Sequence, residues 1–246
     1  MNKTLTIIIP AFNESKRIKK TLNEIDEYIS SNSFSHLYQV VVVDDGGLDN
    51  IKELVNSWIE KECKNKSVFK VLSYLPNHGK GYAVKEGFLN ATSDLILYTD
   101  ADGASPIKEV EKLLHWIDNG YDVACGSRIL QDKSSQVEMS FKRRIIGFVF
   151  HLILVLLRLA SLRDTQCGFK LFQRDVAKKL AESQKCFNYS FDIEYLFLSR
   201  KLGYKIKEVP INWYHVHGSK VSILKDSIAM LIEVLKIRFC YKYNFK

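Results

Sequence analysis

The chain has 246 residues, 46% of them hydrophobic and 26% charged, with 36 Lys and Arg against 28 Asp and Glu for a net charge of +8. Such a length and balance suit one large α/β unit with a sizeable core, and exclude a disordered, collagen-like or solenoid-repeat chain. The basic excess points to anionic partners, but modules that interleave aromatic and basic residues are absent, so no nucleic acid is expected.

The first element is an apolar strand near 4–10, stopped at Pro10 and followed by Ala11, Phe12, Asn13 and Glu14. Met1 to Thr4 run straight into it, so no secretory leader is expected. From Arg17 to Ser30, Ile18, Leu22, Ile25 and Ile29 recur on one helical face. Gln39 to Val43 then form a continuous β-branched run, closed by Asp44, Asp45 and two glycines. A run of this kind suits a parallel strand buried on both faces, which completes a βαβ unit. A further strand is expected near 68–74. Beyond it, Gly79-Lys80-Gly81 places a glycine-flanked lysine at a helix start, where amides and a cation can meet phosphate. Neither the Walker A spacing nor Gly-x-Gly-x-x-Gly occurs there, so P-loop and dinucleotide-binding readings are weak.

The strand near 94–99 ends in Asp100-Ala101-Asp102-Gly103. Ligands of open α/β sheets bind at the carboxyl ends of the strands. A divalent cation would relieve the repulsion of the two acids, and Mg²⁺ or Mn²⁺ commonly bridges carboxylates to substrate phosphates. A solvated polar turn accounts for Asp-x-Asp equally well. Another strand is expected near 121–126, and one near 205–213 should return to the sheet. Five cysteines, at 63, 125, 167, 186 and 240, form no Cys-x-x-Cys pair and suit reduced thiols in a cytosolic setting. His215 and His217 lack partners at zinc-ligand spacing and read as sheet or loop residues.

The segment Ile145 to Leu157 is apolar, with Lys142, Arg143 and Arg144 before it and Arg158 and Arg163 after it. It falls short of the roughly 20 residues that cross a bilayer. A helix near 141–159 lying in the membrane interface is favoured over a core helix, because the run is apolar on nearly all faces yet contains Gly147 and His151. A second amphipathic helix is expected near 224–240, with Ile228, Leu231, Ile232, Leu235 and Phe239 on one face and Lys236, Arg238 and Lys242 supplying charge.

Taken in order, these segments resemble the family 2 glycosyltransferases of GT-A fold along nearly the whole chain. Pro10 to Glu14 are similar to that family's first nucleotide loop, Val43 to Gly46 to its second, and Asp100-Ala101-Asp102 to its metal-binding Asp-x-Asp. Arg163 to Phe172, Phe191-Asp192-Ile193-Glu194 and Gly218-Ser219-Lys220 resemble the dolichyl-phosphate β-glucosyltransferases, with the mannosyltransferases as a neighbouring branch. Two positions depart: Gly47 stands where the second loop usually has serine, and Ala104 where the mannosyl branch has a metal-holding glutamine.

The resemblance implies a mostly parallel central sheet flanked by helices, in a single catalytic domain. Residues 1–127 would be its nucleotide-binding half and 128–246 its acceptor half. It implies inverting, metal-dependent transfer of a hexose, foremost glucose from UDP-glucose, to a polyprenyl or dolichyl phosphate at the cytoplasmic face of a membrane. Asp100 and Asp102 would hold Mg²⁺ or Mn²⁺. Pro10, Ala11, Asn13, Glu14, Asp45, Gly79, Lys80, Asp100 and Ala101 would hold the donor. A lipid phosphate is already anionic, so cations rather than a base are needed; Arg128, Arg143, Lys170 and Lys220, with Ser219, are the candidates. Asp192 could bind the sugar, act as a base, or serve the fold. Glu194, two residues on in a helix, would face away from it. Three alternatives stay open: transfer to a hydroxyl acceptor with Asp192 as base, mannosyl transfer from GDP-mannose, and a silent membrane-associated sugar-nucleotide binder.

Overall fold

The apolar runs at the start of the chain become the centre of a sheet. The computed structural model describes residues 3–31, 38–130, 136–137, 141–160, 162–216 and 223–243, with side chains at 141–144 and 223–227 left undescribed. Strands β1 (Leu5–Ala11) and β2 (Tyr38–Asp44) pair in parallel, and helix α1 (Ile18–Ser30) crosses between them with Ile18, Leu22 and Ile25 buried. Helix α2 (Ile51–Lys61) leads to β3 (Phe69–Ser73), which pairs in parallel with β2. Helix α3 (Lys80–Asn90) leads to β4 (Leu95–Thr99), which returns to the other side of β1.

Helix α4 (Val110–Asp118) precedes β5 (Val123–Ser127), and helix α5 (Phe141–Leu156) follows it. Next come β6 (Phe169–Gln173), α6 (Arg174–Ser183), α7 (Phe191–Lys201), β7 (Ile206–Pro210) and α8 (Ile223–Leu235), which continues as a π-helical turn over Lys236–Cys240. Among the described residues these strands form one sheet in the order β3-β2-β1-β4-β6-β5-β7. The expected strands are all present and share one direction. Strand β6 was not anticipated: it runs antiparallel to both β4 and β5, between them. Its five residues read as a motif rather than a strand, because Lys170 interrupts the apolar run.

This antiparallel insertion shapes the site. The strand order reverses at β1, with β2 added on one side and β4 on the other, so the carboxyl ends of β1, β2 and β4 open a crevice there. Since β6 runs the other way, its amino end reaches the same edge, with Phe169 opposite Thr99. Two apolar layers sandwich the sheet. One packs α1, α2 and α4 against Ile7, Val42 and Leu97, and the other packs α3, α6 and α7 against Ile8, Val41 and Phe172. Residues 191–199 of α7 are all buried, as expected for a helix enclosed on every side.

Helices α5 and α8 behave differently. Along α5, Ile145, Phe148, Val149, Leu152, Val155 and Leu156 are exposed at helical spacing, Phe148 to 69% and Leu156 to 75%, while Leu154 alone of its described side chains is fully buried. Along α8 and its extension, Met230, Val234 and Ile237 face the core while Ile228, Ile232, Leu235 and Phe239 are exposed. Leu231, expected on that exposed face, instead packs partly against the core. No helix among the described residues is long and apolar enough to cross a membrane.

Candidate active site

A cleft of about 1230 Å³ runs along the crevice edge, from Pro10, Ala11, Glu14 and Asp45 through Asp100 and Asp102 to Ile146, Phe148 and Phe150 of α5 and Met230 of α8. Its floor is the turn after β4. The carboxylate of Asp100 lies over Gly168, where an added Cβ would stand 2.1 Å from an Asp100 oxygen, so only glycine admits this approach. The Asp100 amide donates to the Gly168 carbonyl at 3.2 Å, continuing the β4–β6 ladder into the site.

Cations flank both acids. Lys80 Nζ donates to Asp100 Oδ1 at 2.5 Å, and an Arg17 terminal nitrogen stands 3.9 Å from Asp102. Burial pushes the Asp102 carboxyl above the ordinary carboxylate range, and the charge of Asp100 adds to the rise. Burial by itself would lower the Lys80 ammonium, but Asp100 and then Asp192 more than offset it and hold the lysine protonated. Among the described residues no three His, Cys, Asp or Glu side chains cluster as metal ligands. The two acids still fit a hard divalent cation, since they supply crowded oxygen donors beside open cleft space. Water or a diphosphate would complete the coordination, and Ala104, whose amide donates to Asp102 Oδ1 at 3.1 Å, supplies no side-chain ligand.

The loops expected to hold the nucleotide are held by internal hydrogen bonds. Asp45 is buried, and its carboxylate accepts from Asn77 Nδ2 at 2.6 Å, the His78 amide at 2.9 Å and the Gly79 amide at 2.8 Å. Its direct work is therefore to shape the loop that presents Gly79 and Lys80. Gly79 has φ +103°, and a Cβ there would lie 2.5 Å from the Phe187 carbonyl oxygen. Glu14 and Arg17 form a double contact at 2.7 and 2.6 Å. Asn13, at φ +54°, accepts from the Leu48 amide at 2.8 Å. The loss of serine at Gly47 also has a steric reason, since a Cβ there would stand 2.9 Å from the Asn13 amide nitrogen. Ala101 is buried, and its carbonyl accepts from Thr21 Oγ1.

The acceptor-side expectations divide. Arg128 lines the cleft, and its guanidinium forms a paired contact with buried Asp164, Nε–Oδ2 and Nη2–Oδ1 both at 2.8 Å. Burial raises the Asp164 carboxyl, but Arg128 outweighs it and holds the group below the usual range. Lys170 is a correction. It was expected at the acceptor phosphate, yet it is fully buried in β6 and donates to Asp192 Oδ1 and to the Cys167 carbonyl, both at 2.6 Å. The side chain of Arg143, and all of Ser219 and Lys220, lie outside the described residues. Asp192 lines the cleft at the start of α7, and Glu194 turns away to accept from the Lys185 and Cys186 amides and the Tyr243 hydroxyl. Sequence reasoning overlooked Arg17, Asn77, Asp164 and Tyr98 as site components. Arg17, three residues after Glu14 at a helix start, carried a legible signal; the others depend on long-range contacts.

The Glycosyl transferase family 2 model matches residues 6–181. The dolichyl-phosphate β-glucosyltransferase of Dictyostelium discoideum is 37% identical over 248 residues, covering 98% of this chain and 75% of that protein. The human protein of the same name is 32% identical, covering 97% of this chain and 76% of its own length. Among solved structures, glucosyl-3-phosphoglycerate synthase from Mycobacterium tuberculosis, in complex with Mn²⁺, UDP and phosphoglyceric acid, superposes with a TM-score of 0.71 at 18% identity, over 98% of this chain and 80% of the other. At that identity the likeness concerns the GT-A fold alone. The chain belongs to glycosyl transferase family 2, in its dolichyl-phosphate β-glucosyltransferase branch, and is a glycosyltransferase.

Proposed function

We propose that the chain transfers glucose from UDP-glucose to a polyprenyl phosphate of the dolichyl type, with inversion, while seated on the cytoplasmic face of a membrane. The observation that carries this reading is the course of the cleft. One end is polar, with Asp100, Asp102, Lys80 and the Pro10–Glu14 loop; the other is walled by α5 and reaches α8, the two helices that expose apolar faces. An apolar patch of this extent marks an interaction surface, and a lipid-borne acceptor would reach the donor from it without leaving its apolar phase. The names of the relatives give the acceptor and the sugar, and the UDP-bound neighbour supports a uridine nucleotide. The free cysteines suit the reducing side.

In the reaction, a phosphate oxygen of the acceptor attacks the anomeric carbon as the bond from that carbon to the UDP oxygen breaks. No proton has to be removed, because the attacking phosphate is already an anion at neutral pH. Asp100 and Asp102 would hold Mg²⁺ or Mn²⁺, which supplies positive charge to the departing diphosphate. Lys80, held protonated at the same spot, adds a cation at that end, while Arg128 faces the cleft on the acceptor side. We read the whole chain as one catalytic domain, with residues 1–127 as the donor half and 128–246 as the acceptor half.

The test is incubation with labelled UDP-glucose, Mg²⁺ or Mn²⁺, and either a polyprenyl phosphate in liposomes or soluble hydroxyl acceptors. Chloroform-extractable, acid-labile glucose is expected only with the lipid phosphate. Transfer to hydroxyl acceptors alone would make Asp192 a base and overturn the acceptor assignment. Preference for GDP-mannose would overturn the donor.

A further inference from the structure

Behind the cleft floor lies a buried charge that the reaction scheme leaves unused. Lys170 has no solvent exposure, and lysine is almost never so deeply placed unless paired. It sits on β6 directly opposite Tyr98 of β4, so both side chains share one face of the sheet. That face looks onto the start of α7. There the Tyr98 hydroxyl donates to Asp192 Oδ1, and Lys170 Nζ donates to the same oxygen at 2.6 Å and lies 3.3 Å from the Tyr98 hydroxyl. The Cys167 carbonyl accepts the third strong contact of the lysine at 2.6 Å. The side chains around this cluster are apolar or weakly polar: Phe172, Phe191, Cys125 and Cys167 are all fully buried.

Both inward contacts of Asp192 therefore fall on one oxygen, while the residue itself lines the cleft. A carboxylate gripped this way cannot rotate about its last torsion without breaking two charge-assisted bonds in a dry setting. Burial opposes the charge on Lys170, but the adjacent Asp192 outweighs it and keeps the lysine protonated. The lysine and the phenol thus each supply a hydrogen bond to Oδ1 of Asp192 and fix that oxygen in place.

We propose that Lys170 and Tyr98 are positioning residues that clamp Asp192 from behind by Oδ1, so that Oδ2 is presented to the donor sugar as a fixed hydrogen-bond acceptor rather than a base. This rests on the lipid-phosphate reading above, in which no base is needed. It also explains how an enzyme of this design retains an acid beside the sugar without using it for proton transfer. The clamp holds only the orientation of Asp192, and the nucleotide contacts lie on other loops, so its loss should show in turnover and not in nucleotide affinity.

The test is a double-mutant cycle in the full chain with Tyr98→Phe, Lys170→Met and Asp192→Asn. Tyr98→Phe removes one oxygen and conserves shape, so it decides the matter even where Lys170→Met fails to fold. Tyr98→Phe is expected to lower kcat about tenfold, the scale of one charged hydrogen bond, with UDP affinity and the KM for polyprenyl phosphate nearly constant. In the Asp192→Asn background the same substitution should cost almost nothing. An unchanged kcat in folded Tyr98→Phe, a full multiplicative loss on top of Asp192→Asn, or a loss confined to UDP affinity would each overturn the clamp. If wild type glucosylates only hydroxyl acceptors, the acceptor reading fails. The cycle run with that acceptor still reports on the clamp through the same coupling.

Discussion

The two ends of the cleft are built on opposite principles. At the polar end nearly every polar group has a partner supplied by the protein: Asp45 with the 77–79 loop, Glu14 with Arg17, Lys80 with Asp100. At the apolar end, helices α5 and α8 leave rows of apolar side chains without protein cover, Phe148, Leu152, Ile228 and Phe239 among them. The polar end is ordered by hydrogen bonds that hold before any ligand arrives, which lowers the ordering cost of binding. The apolar end is incomplete in water, because its apolar surface gains stability only against another apolar phase. A soluble nucleotide needs the first design, and a lipid-borne phosphate needs the second.

The sharpest way to break this contrast is to spoil the apolar end alone. Phe148→Glu with Leu152→Glu should release the protein from liposomes, since two such side chains contribute about 3–6 kcal/mol when buried in an apolar phase. Circular dichroism should show an unchanged fold, because both side chains are exposed. Sedimentation with vesicles is the measurement, and retained binding would mean that this face does not contact lipid.

Next in size is the buried ion pair between Arg128 and Asp164. Asp164→Ala leaves the Arg128 guanidinium without its partner, and breaking such a pair is expected to cost about 3–5 kcal/mol of unfolding free energy. The pH dependence has a definite sign. Because the folded state holds Asp164 below its ordinary value, its contribution is complete above the unfolded carboxylate range near pH ~4 and is lost as pH falls through the folded value. Wild type should therefore lose more stability than Asp164→Asn as pH falls below about 4, as followed by denaturant titration.

At the polar end, Asp102→Asn preserves volume but removes a charge, and kcat should fall by about 10²-fold, as for loss of one electrostatic stabiliser. Chelation should abolish wild-type turnover, with Mg²⁺ or Mn²⁺ restoring it. Undiminished turnover in chelator would remove the metal role from Asp100 and Asp102. The smallest effect is expected at Asp45→Asn. Its acceptor oxygens serve the 77–79 loop, so UDP affinity measured by calorimetry should weaken about tenfold while kcat changes little. A large fall in kcat with unchanged affinity would instead place Asp45 closer to the chemistry.

Much of this molecule was decided by local chemistry that can be read along the chain. The β-branched run Val40–Val43, the periodicity of Ile18, Leu22 and Ile25, and the acids after β4 each declare an element or a strand-end site, because apolar spacing and strand-end polarity are local signals. The family motifs located the same loops. The exposed apolar faces of α5 and α8 were also foreshadowed, since their runs are too short to span a bilayer and too apolar for an ordinary surface. Only the tertiary structure decided which charges meet. Lys170 read as a free cation for phosphate, yet the antiparallel course of β6 turns it inward opposite Tyr98, where Asp192 arrives from α7, 22 residues on. Arg128 likewise read as an open anion site until Asp164 came within 2.8 Å. Charge is written in the residue type, but its partner is set by strand direction and register, which no local pattern encodes.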